Sequence, residues 1–215
     1  MLVLAIDTSS HQVLCEIAGE AGVLCSRRTP VSSFVAETHD LVLAALREAD
    51  CRLSDIGLLC AVTGPGASWT GIRVGTTLIK TLGFATGTPA VGLPQLPFVA
   101  AVFAPDLPAV TVLSRERTGF VAAGDLDTTR RPPRALSPTR VIPDSAVAAR
   151  LEGSRSALWY APSAPPEALA GRVTAARPAE IPPGALAAEA MAALASGAPS
   201  DPHELRTAYF GNFPA

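Results

Sequence analysis

The residues best suited to chemistry lie between Thr63 and Gly75, where the chain reads Thr-Gly-Pro-Gly-Ala-Ser-Trp-Thr-Gly-Ile-Arg-Val-Gly. An apolar run, Leu58 to Val62, precedes this segment and a helical pattern follows it. A glycine-rich turn between a buried strand and a helix bares backbone amides at the helix N-terminus. Such a place accepts a phosphate or another anion, or lets a second backbone come close. Glycines required only by the sterics of the turn are the alternative. The fixed order of Ser68, Trp69, Thr70, Gly71, Arg73 and Gly75 behind the loop favours the functional reading.

Asp7 is the second candidate. It ends the apolar run Leu2 to Ile6 and is followed by Thr8, Ser9 and Ser10. A strand-end acid among hydroxyls can face the phosphates of a nucleotide, and it is also an ordinary turn former. No glycine follows it closely, so phosphates could not press against that backbone. Metal and nucleophile chemistry find less. Of the three histidines, His11, His39 and His203, only His39 lies in a helical pattern, and its i+4 neighbour is Leu43. There is no Gly-x-Ser-x-Gly, and no Ser or Cys has a recognisable His partner. Ser68 is the best lone hydroxyl, and helix capping accounts for it.

The elements that must position these residues follow from pattern. Leu2 to Ile6 reads as a central strand, and Val13–Ala18 with Gly22–Arg27 as a hairpin through Gly19-Glu20-Ala21. Ser32 or Ser33 can cap a helix to Ala49, and Ser68 or Thr70 a helix to Ala85. Leu58–Val62 and Ala90–Leu93 are strands, with a helix from Pro94 to Phe103. That order gives an α/β fold, an actin-like (ribonuclease-H-like) mixed sheet with flanking helices. Residues 1–104 form this unit. Residues 105–215 read as a smaller, degenerate second domain of the same type. Its strand candidates are Val110–Leu113, Phe120–Ala123, Arg140–Ile142 and Leu158–Tyr160. Asp144–Leu151 and Gly184–Ala195 read as helices, and Arg130–Pro138 and Ala161–Pro166 as proline-rich loops. Its glycines are all solitary, so a second phosphate loop and an adenine-side glycine cluster are missing. In the helix after the glycine loop, Gly71, Gly75 and Thr76 form a flat strip beside Ile72 and Ile79. Such a strip invites an identical or paralogous helix. Packing on the chain's own sheet is the alternative, and the two can share the helix.

With 215 residues, net charge −2 and pI near 5.9, the chain has ample core and no general attraction for nucleic acid. The four cysteines fall mostly in apolar runs without Cys-x-x-Cys spacing, as expected of reduced core thiols. No apolar stretch reaches the roughly 18 residues of a membrane span, and a cytoplasmic location is expected.

Leu4–Ser10, Thr63–Gly75 and Gly92-Leu93 before a helix together resemble the TsaB (YeaZ) family. The likeness covers residues 1 to 100, with Ser68-Trp69-Thr70 where the family usually has Ser-Phe-Thr. Beyond it the match is looser, through Ser114-Arg115-Glu116-Arg117, Phe120-Val121 and Glu204–Tyr209. The resemblance implies a non-catalytic, dimerising subunit in the synthesis of threonylcarbamoyladenosine beside the anticodon of tRNA. Its implied partners are a TsaD-like catalytic paralogue and a TsaE-like ATPase, with a homodimer in isolation and tRNA met only through the complex. No metal or cofactor of its own is implied; ATP or ADP would sit at the complex interface. The implied partner or dimer surface is Gly64, Pro65, Gly66, Ser68, Trp69, Thr70, Gly71, Ile72, Arg73, Gly75, Thr76 and Ile79. Asp7, Thr8 and Ser9 are the nucleotide-facing candidates. A stand-alone actin-like small-molecule kinase or ATPase is the competing expectation.

Overall fold

The first apolar run becomes β1 (Leu2–Asp7). Val3 and Ala5 enter one buried cluster, and Leu4 and Ile6 another on the opposite side of the sheet. A strand covered on both faces has no polar side to show, which is why the sequence here does not alternate. The structure is a computed structural model and describes residues 1–30 and 33–208.

β1 is flanked by antiparallel β2 (Gln12–Gly19), which turns back into β3 (Gly22–Pro30). On its other side lie parallel β4 (Ile56–Gly64) and β5 (Ala90–Pro94), giving the order β3-β2-β1-β4-β5. α1 (Phe34–Glu48) and α2 (Trp69–Thr86) pack on one face, and α3 (Gln95–Phe103) on the other. Ser33 stands at the α1 N-cap without a side-chain capping bond. Ser32, the other expected cap, and Tyr209 lie outside the described residues. Ser68 does cap α2, its Oγ accepting from the Gly71 N–H at 3.0 Å.

In the second sheet, β6 (Ala109–Arg117) pairs with antiparallel β7 (Phe120–Asp127), which also holds β8 (Arg134–Ala135) and β9 (Arg140–Pro143). Parallel β10 (Ala157–Tyr160) and β11 (Thr174–Ala176) complete the other side. The path β9-β7-β6-β10-β11 repeats the order and strand directions of the first sheet. α4 (Asp144–Arg150) follows β9 as α1 follows β3, and α5 (Ala185–Ala195) follows β11 as α3 follows β5. The counterpart of α2 has shrunk to a 3-10 turn, Glu167–Leu169. The second unit is a reduced copy of the first. β8 and β11 are additions to the sequence reading; β8 forms inside the expected proline-rich loop.

α5 belongs by sequence to the second half but packs on β1, β2 and β5 of the first sheet. Together α3 and α5 fill the space between the sheets, and their sequences are apolar nearly all round, as a helix covered on both sides requires. One acid pins this layer. Glu16, fully buried in β2, accepts from the backbone N–H groups of Gly184 (2.9 Å), Leu186 (3.1 Å) and Ala187 (3.2 Å). A carboxylate from another strand thus satisfies the open amides at the start of α5. Burial pushes the Glu16 carboxyl up, and these amides pull against it.

Candidate functional site

β1 ends where the two sheets face each other, and the parity that sends Val3 and Ala5 to the inter-sheet side sends Asp7 there too. Asp7 Oδ1 accepts from the Ser9 N–H at 2.8 Å, closing a tight turn. The glycine loop lies directly on that turn. Ser68 N–H donates to the Ser9 carbonyl at 3.1 Å, and a Cβ on Gly66 would lie 2.5 Å from the same oxygen. A second connection runs across the layers. Gln95 Nε2 donates to Ser9 Oγ at 2.6 Å, and Ser114 Oγ donates to Gln95 Oε1 at 2.6 Å. Ser9, Gln95 and Ser114 are each at most 1% exposed, so this chain links β1, α3 and β6 out of contact with water.

The electrostatics are those of a closed site. Burial pushes the Asp7 carboxyl up, against the hydrogen bonds from Ser9 and the positive charge of Arg28. Arg28 itself is spent on the carbonyls of Pro178, Ala179 and Ile181. The Tyr160 hydroxyl is buried with no hydrogen-bond partner among the described residues, and burial and Asp7 push its pKa well above the usual value. Asp7 is desolvated, the Ser9 carbonyl is taken by the Ser68 N–H with Gly66 against it, and the Ser9 hydroxyl is taken by Gln95. The nucleotide-facing candidates Asp7, Thr8 and Ser9 are thus placed inside the protein. All three are at most 2% exposed and are used to seat the glycine loop.

The loop is also packed against the rest of the chain, with Thr63, Gly64, Pro65 and Gly66 buried. Gly64 adopts φ 97°, a left-handed conformation suited to glycine, and the Ala208 N–H donates to the neighbouring Thr63 carbonyl at 2.8 Å. Trp69 Nε1 donates to Glu116 Oε1 at 2.5 Å, tying the start of α2 to β6. The cavity enclosed by Pro65, Gly66, Trp69, Ile72, Arg73, Glu116, Thr207 and Ala208 is about 10 Å³, room for one water at most.

The small-residue strip of α2 also faces inward. A Cβ on Gly71 would overlap the Thr8 carbonyl oxygen, and one on Gly75 the Thr8 hydroxyl. Ile72, Thr76 and Ile79 are buried on the same side. A partner helix cannot reach Gly71, Ile72, Gly75, Thr76 or Ile79. The expected contact strip is corrected to one that brings α2 close to the β1 turn. On its outer side α2 exposes Thr70, Arg73, Thr77 and Thr81, with the half-buried Val74 and Leu78 between them. With Val35 and His39 of α1 they line an open groove of about 560 Å³. Of the residues expected at an interface, Thr70 and Arg73 lie on this groove.

Among the described residues no group of three His, Cys, Asp or Glu side chains could hold a metal ion. Burial pushes the Cys25 thiol up to about 11, and Cys15 and Cys60 higher still. No described helix is long and apolar enough to cross a membrane. Sequence reasoning missed Gln95, Glu16 and Glu116. A lone Glu within Val13–Ala18 was a legible sign of a buried, partnered acid; Gln95 and Glu116 carried no such sign.

Two sheets of matching order, one reduced, facing each other across a helical layer, define an α/β protein of the actin-like, ribonuclease-H-like class. Comparison with known proteins narrows this. The family model described as TsaD, tRNA N6-adenosine threonylcarbamoyltransferase, matches residues 32–135. The chain is 30% identical over 106 residues to the tRNA threonylcarbamoyladenosine biosynthesis protein TsaB of Bacillus subtilis (strain 168), covering 47% of this chain and 44% of that one. It is 28% identical over 177 residues to the uncharacterized protein ML0378 of Mycobacterium leprae (strain TN), covering 77% of this chain and 47% of that one. The matches thus span about half the length of these curated relatives. YeaZ from Pseudomonas aeruginosa superposes with a TM-score of 0.76 at 19% identity, over 97% of this chain and 99% of that one. A second crystal structure, of an uncharacterized protein similar to peptidase YEAZ from the same organism, gives 0.75 at 20% identity over 98% and 99%. The chain resembles the TsaB/YeaZ proteins, in sequence over its first half and in fold over nearly its whole length.

Proposed function

We propose that this chain is a non-catalytic dimerisation and activation subunit of the complex that adds threonylcarbamoyl to the adenosine beside the anticodon of tRNA. In this reading it holds a TsaD-like catalytic relative, joined by a TsaE-like ATPase, and meets tRNA only through them in the cytoplasm. ATP or ADP binds at the complex interface, and the chain has no cofactor of its own. The observation that supports the reading is the closed strand-end site, where Gly66 packs on the Ser9 carbonyl and Gln95 joins Ser9 to Ser114 out of contact with water. The open groove between α1 and α2 supports a contact role for Thr70, Arg73 and Thr77, and in this reading the TsaD-like relative is seated there.

The test is depletion of the protein, with variants supplied in trans, followed by mass spectrometry of bulk tRNA nucleosides. Depletion should remove the modified adenosine. Asp7→Asn should restore it, while Thr77→Glu, which puts a charge on the groove at an exposed position of α2, should not. Normal modification after depletion would refute the reading. Calorimetric titration of ATP into the isolated chain separates it from a stand-alone kinase or ATPase, since tight binding would favour the enzyme.

A further inference from the structure

The strands of the two units correspond, but at the start of their parallel ladders the residues differ. In the first unit Leu2 pairs with Ile56, and both share one apolar cluster with Ala49, Cys51 and Leu53 of the α1–β4 connection. In the second unit the matching pair is Thr111 and Ala157, and the matching connection, residues 151–156, is mostly polar. Smaller, polar side chains do not fill the space that leucine and isoleucine fill. A hollow of about 630 Å³ opens there, beside α4, in the size range of small-molecule sites.

The polar floor of the hollow is held in place. Thr111, 4% exposed, donates from Oγ1 to Asp125 Oδ1 at 2.8 Å and lies 3.1 Å from Ser154 Oγ. Asp125 Oδ2 accepts from Ser137 Oγ at 3.2 Å and from Arg150 of α4. Burial pushes the Asp125 carboxyl up, but the bonds from Thr111, Arg150 and Ser137 outweigh it and hold the carboxyl below its ordinary value. The floor therefore presents a fixed anion. The rim adds two charges that are unspent. Glu152 and Arg155 are exposed, and neither side chain has a hydrogen bond or ion pair among the described residues. They flank Gly153, whose φ of 81° bends the connection, and they do not bond each other. Pro108 and Ala109 add an exposed apolar edge.

Two acids and two arginines line the hollow, so their formal charges cancel and a ligand of one sign would meet as much repulsion as attraction. A ligand carrying both signs pairs with both. We propose that the hollow binds a free amino acid with a hydrocarbon side chain, Arg155 taking its carboxylate, Asp125 and Glu152 its ammonium, and Pro108 and Ala109 its side chain. A guanidinium meets a carboxylate with two parallel N–H donors. An ammonium brings three donors, and Asp125 Oδ1 keeps a lone pair beyond its bond from Thr111. The site draws on neither the α2 groove nor the cluster around Ser9.

L-leucine is the probe, titrated into the full-length protein and followed through the backbone amide resonances of residues 109–111 and 152–156. Saturable shifts at these residues are expected, with a Kd of about 1 mM or tighter. Isocaproate is leucine without its amine, and isoamylamine is leucine without its carboxylate. Each leaves one charge of the site unpaired and should bind at least about tenfold more weakly. Arg155→Gln and Glu152→Gln lie on the exposed rim, so circular dichroism should be unchanged while each weakens leucine about tenfold. Arg155→Gln should not weaken isoamylamine, nor Glu152→Gln isocaproate. No saturable shift up to about 10 mM leucine, or shifts centred elsewhere, would overturn the site. Leucine bound no more tightly than either half-molecule would overturn the dipolar ligand.

Discussion

Gly71→Ala is the substitution on which the geometry of the glycine loop can be tested most sharply. In an exposed helix this change stabilises by about 1 kcal/mol, because alanine loses less backbone entropy. Here the added methyl would meet three neighbours at once. It would overlap the Thr8 carbonyl oxygen and lie 2.6 Å from Phe34 Cε1 and 2.9 Å from Ser68 Oγ. The first is backbone of the β1 turn, itself clamped by Ser9, Ser68 and Gln95, so it cannot swing aside. Overpacking of a core costs about 1–3 kcal/mol, and this contact belongs at the upper end. Pushing Ser68 away also strains the α2 cap, worth about 1 kcal/mol. The propensity gain is outweighed, and a net loss of about 3 kcal/mol is expected, which for a chain of this size lowers Tm by about 6–12 °C. Urea titration followed by circular dichroism, with thermal melts beside it, measures both. A partner-facing glycine would give the opposite result, a variant as stable as wild type or more so but defective in association. That outcome would refute the inward placement of the strip.

Two further predictions concern buried acids. Glu16→Ala leaves three N–H groups at the start of α5 without an acceptor in a buried layer. It should cost about 3–5 kcal/mol, with Glu16→Gln costing less, and equal urea midpoints for wild type and Glu16→Ala would rule out the capping role. Burial holds the Asp7 carboxyl above its ordinary value, so the folded state binds more protons than the unfolded one above the usual carboxylate range. Stability should therefore fall as pH rises through that range toward the folded value. Asp7→Asn should remove this dependence and gain relative to wild type with rising pH; parallel urea-midpoint profiles from about pH 4 to 7 would contradict it.

What the sequence determined by itself is the set of local elements of the first unit and their order. Continuous apolar runs at Leu2–Ile6 and Leu58–Val62, a hairpin turn after Gly19 and the Ser68 cap are written in neighbouring residues, so they survive without tertiary context. The strands of the second unit were legible at β6, β7, β9 and β10, in β9 from the Val141-Ile142 pair alone. β11 and β8 were not, because two or three residues carry no period and exist only where a sheet edge accepts them. The small strip of α2 was visible too, but not the direction it faces. A stripe of Gly71, Gly75 and Thr76 states that something comes close, and only the packed structure shows that it is Thr8. The same holds for the closed site. Ser9, Gln95 and Ser114 are 86 and 19 residues apart along the two hydrogen bonds that join them. No local pattern records such a pairing, because it is created by the sheets closing on α3. The tertiary structure therefore decided that the strand-end position is filled from within, and that the face left open is the outer side of α2.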